Sequence, residues 1–146
     1  MTSAAIEQRI SLITLGVADL AASRSFYGRL GWIESSASND DVAFFQTGGM
    51  AVALFGREAL AEDAHVSPLG DGFRAVSVAI NTRSRAETDR YFAAFVEAGG
   101  SAVKAPEPVF WGGYSGYARD PDGHLFEFAH NPFWPMDEAG AIRLPV

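Results

Sequence analysis

The residues best suited to chemistry are concentrated in one stretch near the end of the chain, Phe110 to Phe128, which reads FWGGYSGYARDPDGHLFEF. Within it Glu127 stands between two phenylalanines, and a carboxylate among apolar side chains is costly to bury unless it binds something. Such a carboxylate can ligate a metal ion, act as a general base, or anchor a polar group of a ligand. Alternatively, Glu127 is paired with an arginine or a backbone donor and has no function of its own.

Aromatic residues and glycines alternate just before this carboxylate. Trp111, Tyr114 and Tyr117 are separated by glycines at 112, 113 and 116. Aromatic rings stack on planar or apolar ligands, and glycine lets the backbone approach them closely. These three residues and Phe55, from an earlier apolar run, are therefore candidate ligand-binding residues, with Glu127 as candidate catalytic or anchoring residue. The alternatives are that the three close a barrel mouth or a dimer contact and that Phe55 is core.

The other polar residues favour structural roles. His124 follows the turn sequence DPDG and is expected to satisfy local backbone groups. Glu62, Asp63 and His65 fall on a solvated helix end, where the pattern does not favour a metal site. The chain has no cysteine, which excludes disulfides, thiolate catalysis and Cys-ligated zinc.

The order of periodic segments predicts how these residues are positioned. Residues 9–56 read as strand, helix and three strands, with Asp19 as a helix N-cap and Gly31 as the stop. One of those strands is WIESSA, residues 32–37. Residues 73–131 repeat the order, and a capping-box pair, Ser84 and Glu87, opens the second helix. The sequence therefore predicts an α+β fold of duplicated βαβββ units, each a four-stranded sheet carrying one helix, joined into an open, curved mixed sheet. A tail at 132–146 is expected to lie over the domain or a partner.

Composition restricts the classes of function. The 146 residues suffice for one domain with its own core, and we expect a single domain over 1–146. The net charge is −7 and the eleven basic residues are scattered, so neither nucleic acid nor an anionic membrane is an expected partner. No segment has the pattern of a signal peptide or a membrane span. A soluble protein in the cytoplasm is expected.

The duplicated unit and three segments resemble the vicinal oxygen chelate superfamily, which includes glyoxalase I, extradiol dioxygenases and bleomycin-binding proteins. The segments are GVADLAASRSFYGRLGW, ALFGREALAEDA and, above all, FWGGYSGYARDPDGHLFEFAHNPFW. The resemblance runs from about Arg9 to Trp134. It implies a cleft lined by the curved sheet and, since members commonly pair, a homodimer.

The resemblance also implies four strand positions that hold a divalent metal in the superfamily's enzymes. Carried over one by one, these positions fall at Leu12, near Ala53, near Ala75 or Ser77, and at Glu127. Glu127 alone has a metal-ligating side chain, and one ligand is too few for a useful metal site. No cofactor is therefore expected, although a divalent metal held by other ligands remains an alternative.

Two functional hypotheses follow, beside a third possibility, a partner-binding or structural role with a vestigial cleft. In the first, the protein binds a small aromatic or amphipathic molecule in its cleft without a metal, as bleomycin-resistance proteins do. In the second, it is a lyase, isomerase or dioxygenase of the same superfamily, dependent on a metal or on Glu127 as base. Whether it is an enzyme is left open by the sequence.

Overall fold

The computed structural model describes residues 6–145, and within them the chain forms three helices and seven strands. In chain order these are β1 (Leu12–Val17), α1 (Leu20–Arg29), β2 (Val42–Thr47), β3 (Met50–Gly56), α2 (Arg57–Ala64), β4 (Ser77–Asn81), α3 (Arg85–Glu97), β5 (Ser101–Pro108), β6 (Tyr114–Arg119) and β7 (Leu125–His130).

The strands form two mixed sheets with matching topology. The first has the order β1-β3-β2 and the second β4-β7-β6-β5. In each, the first strand of the unit runs parallel to the last, and the remaining pairs are antiparallel. The α+β class, the duplicated unit and the curved sheets are confirmed. The two sheets are separate, however, since β1 and β4 are edges that do not pair with each other.

One predicted strand is wrong. The segment WIESSA contributes a single bridge, from Glu34 to Phe45, so the first sheet has three strands where four were predicted. Side chains of the next residues bond the local backbone instead: the Ser35 hydroxyl accepts from the N–H of Ala37, and the Ser38 hydroxyl from that of Phe44. Serines that bond nearby backbone compete with a strand ladder in this way.

The helices begin where the sequence predicts. Asp19 accepts a hydrogen bond from the N–H of Ala22 at the start of α1, and Ser84 accepts one from the N–H of Glu87 at the start of α3. The Glu87 carboxylate completes the cap by accepting from the N–H of Arg83. Each cap satisfies backbone donors that a helix N-terminus would otherwise leave free.

One hydrophobic cluster draws on both units. The ring centroid of Tyr27 lies 6.1 Å from that of Phe45 in the first sheet and 6.3 Å from that of Phe126 in the second. The ring centroids of Phe95 of α3 and Phe126 are 5.1 Å apart. Each sheet thus turns one face toward α1 and α3, and we call the opposite face its open face. The open face of the first sheet is partly covered by α2, whose Arg57 approaches Gly16 closely.

The turn between β6 and β7 joins the units. Asp120 is buried; its Oδ2 accepts from the Tyr27 hydroxyl at 2.7 Å and its Oδ1 from the N–H of His124 at 2.8 Å. Asp122 accepts from the N–H of Ala18 at 2.8 Å. The Nε2 atom of His124 lies 2.8 Å from the carbonyl oxygen of Gly16. The structural role of His124 therefore includes a contact between the two units. Burial, followed by the charge of Asp120, raises the pKa of Tyr27 far above its ordinary value.

The tail contacts the second unit through Arg83, whose guanidinium donates to the carbonyl of Glu138. Met136 and Ile142 form a β-bridge, and the Arg143 guanidinium lies 2.9 Å from the Asp137 carboxylate. Among residues 6–145, no helix has the length and apolar character needed to span a bilayer. The expected single domain and cytoplasmic location stay predictions.

We expect Tyr27→Phe to lower the free energy of unfolding by about 1–3 kcal/mol, because a buried carboxylate loses its hydroxyl donor while the ring still fills its place. Urea unfolding measures the loss. Tyr114→Phe is the matched control: it also removes a hydroxyl bonded to an aspartate, but at the surface. Equal losses in the two variants would contradict a special role for the buried bond.

Candidate functional site

Glu127 lies on the open face of the second sheet. Its neighbours Phe126 and Phe128 are buried in the core, and successive side chains of a strand point to opposite faces. Glu127 is half-buried and lies directly across from Tyr117 of β6, which points the same way. The structure therefore brings together two of the predicted site residues.

A row of side chains crosses all four strands at this level. From one edge to the other it consists of Ala79, Glu127, Tyr117 and Lys104, each paired in register with the next. Directly paired residues have Cβ atoms about 4.5–5.5 Å apart, so the row is continuous. It presents an apolar end, a carboxylate, a phenol and a cation along a single line.

The carboxylate changes the acidity of its neighbour. Burial raises the pKa of the Tyr117 phenol above its ordinary value of 10.0, and Glu127 raises it further through its charge and a side-chain hydrogen bond. The phenol is therefore protonated throughout the neutral range. Glu127 retains lone pairs that can accept from a further donor.

Two cations that sequence reasoning missed lie on the same face. Lys104 stands across from Tyr117 and forms an ion pair with Glu107 at 3.2 Å, and Arg119 is exposed two residues beyond Tyr117. Strand alternation places Arg119 on the same face as Tyr117, so the sequence alone could have identified this residue. The register of β5 is shifted by irregularities on both sides of Lys104, so no sequence period locates that residue.

Tyr114 is separated from this pair. It lies on the helix-facing side of β6, where its hydroxyl donates to Asp89 of α3 at 2.7 Å. Its ring lies under the Arg85 guanidinium, 5.1 Å from the ring centroid. These contacts give Tyr114 a structural role in fixing α3 to the sheet.

Trp111 and Phe55 are also apart from the pair. The Trp111 ring lies against the backbone of Gly113, where a Cβ atom would come within 1.7 Å of it, so only glycine fits. Phe55 lies on the open face of the first sheet and lines a shallow depression beside α2, together with Glu62, Asp63 and His65. The ligand-binding roles of Trp111, Tyr114 and Phe55 stay predictions.

The positions implied for a metal do not supply a ligand set. In the first sheet the row matching Ala79–Glu127–Tyr117 is Thr14–Ala53–Phe44. No carboxylate, imidazole or thiolate occurs in that row. Over residues 6–145, no group of three or more His, Cys, Asp or Glu side chains is placed to hold a metal ion. The residues present therefore do not fit a bound divalent metal.

Comparison with protein families gives one match, to the Glyoxalase/Bleomycin resistance protein/Dioxygenase superfamily, over residues 9–128. No curated protein matches the chain significantly.

Several solved structures are similar. A glyoxalase-related enzyme from Fulvimarina pelagi is 34% identical, with a TM-score of 0.87 over 95% of this chain and 99% of the other. A glyoxalase/bleomycin resistance protein/dioxygenase from Nocardioides is 26% identical, with a TM-score of 0.72 over 87% and 85% of the two chains. A lactoylglutathione lyase from Agrobacterium tumefaciens is 22% identical, with a TM-score of 0.67 over 90% and 100%, and shows likeness of fold alone.

We expect Glu127→Gln to lower the pKa of Tyr117 part of the way toward 10.0, because the neighbouring negative charge is lost while burial remains. Since the folded pKa is raised, the phenol's contribution to stability is present below pH 10 and is lost as the pH rises through the folded value. Ultraviolet titration, with Tyr117→Phe subtracted to isolate this phenol, measures the shift. Glu97→Gln, a surface change on α3, is the control, and a shift of the same size there would contradict the assignment.

Proposed function

The chain belongs to the Glyoxalase/Bleomycin resistance protein/Dioxygenase superfamily, and on that premise we propose that it binds a small aromatic or amphipathic molecule, without a metal, on the open face of its second sheet. The observation that carries the proposal is the Tyr117–Glu127 pair on that face. A half-buried carboxylate beside a phenol orients a ligand's hydroxyl or amine group, because it accepts hydrogen bonds more strongly than a neutral group does.

The surroundings of the pair define the ligand. Ala79 pairs with Glu127 in register, and Leu125 and Ala129 flank it on the same face of β7. These side chains offer apolar contact beside one acceptor, which suits a molecule with an apolar or aromatic body and one donor group. A neutral or cationic group of the ligand is not repelled by the Glu127 carboxylate, whereas an anionic group would be.

Absence of a metal is part of the proposal. The row Thr14–Ala53–Phe44 supports it, since the half of the site that would complete a metal centre has no strong ligand. Binding then depends on the hydrogen bonds and apolar contacts of this chain alone.

An enzymatic role is the second candidate. The relative from Fulvimarina pelagi is described as a glyoxalase-related enzyme, and a carboxylate paired in register with a phenol has the parts of a general base with an adjacent proton donor. In that role Glu127 would accept a proton from a bound substrate and Tyr117 would hold the carboxylate in place.

A second copy of the chain completes the proposed binding face. Strands β1 and β4 are sheet edges with exposed apolar side chains at or next to them: Leu12 is 47% exposed and Val76 is 61% exposed. Free edges of this kind accept a strand of another chain. We propose a two-fold dimer in which β1 of one copy lies along β4 of the other, bringing a first-sheet face beside the Glu127 face.

A thermal-shift screen tests the binding proposal. The protein is purified without chelator and titrated with a panel of aromatic amines, phenols and catechols, and separately with Mn, Fe, Ni and Zn ions. A ligand at about 100 times its Kd adds about 2.7 kcal/mol of stability, which raises Tm by several degrees. We expect such a ligand to bind roughly 10- to 100-fold more weakly to Glu127→Gln, because a charge-assisted hydrogen bond is lost.

The outcomes separate the candidates. About one metal per chain with stabilisation on titration would contradict metal-free binding. If a ligand binds Glu127→Gln and the wild type with equal affinity, its site does not include Glu127. The control variant Glu97→Gln should bind every ligand with the affinity of the wild type. Turnover of a bound ligand that disappears in Glu127→Gln would establish the enzymatic alternative.

For the dimer, we expect Val76→Arg to convert the protein to a monomer, because the new charge lies where the two edges meet and the valine is exposed in the isolated chain. Sedimentation equilibrium over a range of concentrations measures the mass. Phe110→Arg is the control, since Phe110 is fully exposed on a loop away from both edges. A monomeric wild type, or a dimeric Val76→Arg protein, would contradict the proposal.

A further inference from the structure

A second concave region lies between the two units, lined mainly by residues on the helix-facing sides of the two sheets. It is a groove of about 880 Å³. Both sheets, α3, residues 30–33 after the end of α1, and the tail supply its walls, and we call it the inter-unit groove. Its lining includes Trp32, Met50, Val78, Ile80, Phe95 and Ile142.

The Tyr117–Glu127 pair does not line this groove, although Ala79, which pairs with Glu127 in register, does. Phe126 and Phe128 line it, and Glu127 between them points to the other side of the same strand. Neither Tyr117 nor Glu127 is among the lining residues. A molecule in the groove therefore does not contact the Tyr117–Glu127 pair, although the two regions meet at Ala79.

The lining carries no charged side chain, although the chain has 18 acidic and 11 basic residues. The polar side chains in it are all neutral: Gln46, Thr47, Asn81 and Tyr91. A charged ligand would lose its hydration there without gaining an ionic partner, whereas an apolar ligand gains contact along the whole groove.

The tail helps to shape the site. Gly140 and Ile142 line the groove, and the bridge between Met136 and Ile142 holds this part of the tail as a small hairpin. The Asp137–Arg143 ion pair closes the hairpin, and the Ala141 N–H and Arg143 lower the pKa of Asp137, so the pair is intact at neutral pH. Ile142 is thus held at the groove wall.

We propose that the inter-unit groove binds a neutral, largely apolar small molecule whose hydrogen-bonding groups, if any, contact Gln46, Thr47 or Asn81. The volume lies within the range of about 300–1,000 Å³ typical of small-molecule sites. The uncharged lining selects a neutral ligand over a charged peptide segment. The proposal does not depend on the function assigned to the Glu127 face.

Fluorescence of the neutral dye Nile red, which has no N–H or O–H group to donate to Glu127, tests this site in the full-length protein when the dye is excited directly. Ala94 is exposed on α3 and lines the groove, so Ala94→Trp places an indole in it. We expect the wild type to enhance probe fluorescence saturably and Ala94→Trp to weaken probe binding by about tenfold or more. Ala86→Trp is the matched control: Ala86 is also exposed on α3 and is not part of the lining.

Two further variants make the result decisive. Ile142→Asp puts a charge at the exposed end of the groove and should also weaken probe binding, so the test does not depend on the folding of Ala94→Trp alone. Glu127→Gln should leave probe binding unchanged. The proposal is overturned if the wild type does not bind the probe, if Ala94→Trp and Ile142→Asp bind it normally, or if Glu127→Gln abolishes binding. Conversion of a dimer to a monomer by Ala94→Trp, with no probe bound by the wild type, would instead assign the groove to a second copy.

Discussion

The two-residue period of strand β7 is the constraint on which both binding regions depend. Phe126 and Phe128 fill the core against Phe95, and successive side chains of a strand point to opposite faces. Glu127 must therefore lie on the face away from the core. A shift of one residue would bury the carboxylate among aromatic rings and expose two phenylalanines, so the register is strongly specified. The same strand consequently separates an uncharged groove on one side from a carboxylate–phenol pair on the other.

The duplicated sequence produces two units that differ in what covers their sheets. In the first unit α2 lies over the open face, where Gly16 gives it room. In the second unit the corresponding face carries Glu127, Tyr117 and Lys104. The two units therefore share a topology but differ in the side chains of their open faces, and the ionisable side chains lie on the open face of the second unit.

Much of the fold was predictable because its signals are local. Helix caps at Asp19 and Ser84 are decided by residues within one turn, and strand alternation accounts for the position of Glu127 opposite Phe126 and Phe128. The prediction of a strand at WIESSA was wrong because nearby serine side chains bond the local backbone. A pattern of apolar residues gives no information about such bonds. The separation of the two sheets was likewise invisible, since it depends on how α1 and α3 share one core. In the site, Tyr114 and Tyr117 look equivalent in sequence, yet three residues of strand put them on opposite faces. Lys104 lies beyond an irregular register that only the folded structure defines.

The bonds made by the turn at Asp120 and Asp122 join residues that lie far apart in the 146-residue sequence. Tyr27 reaches Asp120 across 93 residues of sequence, and Ala18 reaches Asp122 across 104. Contacts of such long range must overcome a large loop-closure entropy before they stabilise anything, which slows folding. During synthesis the first unit therefore emerges with Tyr27 still lacking its acceptor, and its core cannot close until the last hairpin has left the ribosome. Each half of the chain thus depends on the other to reach its native structure, although the two share one topology.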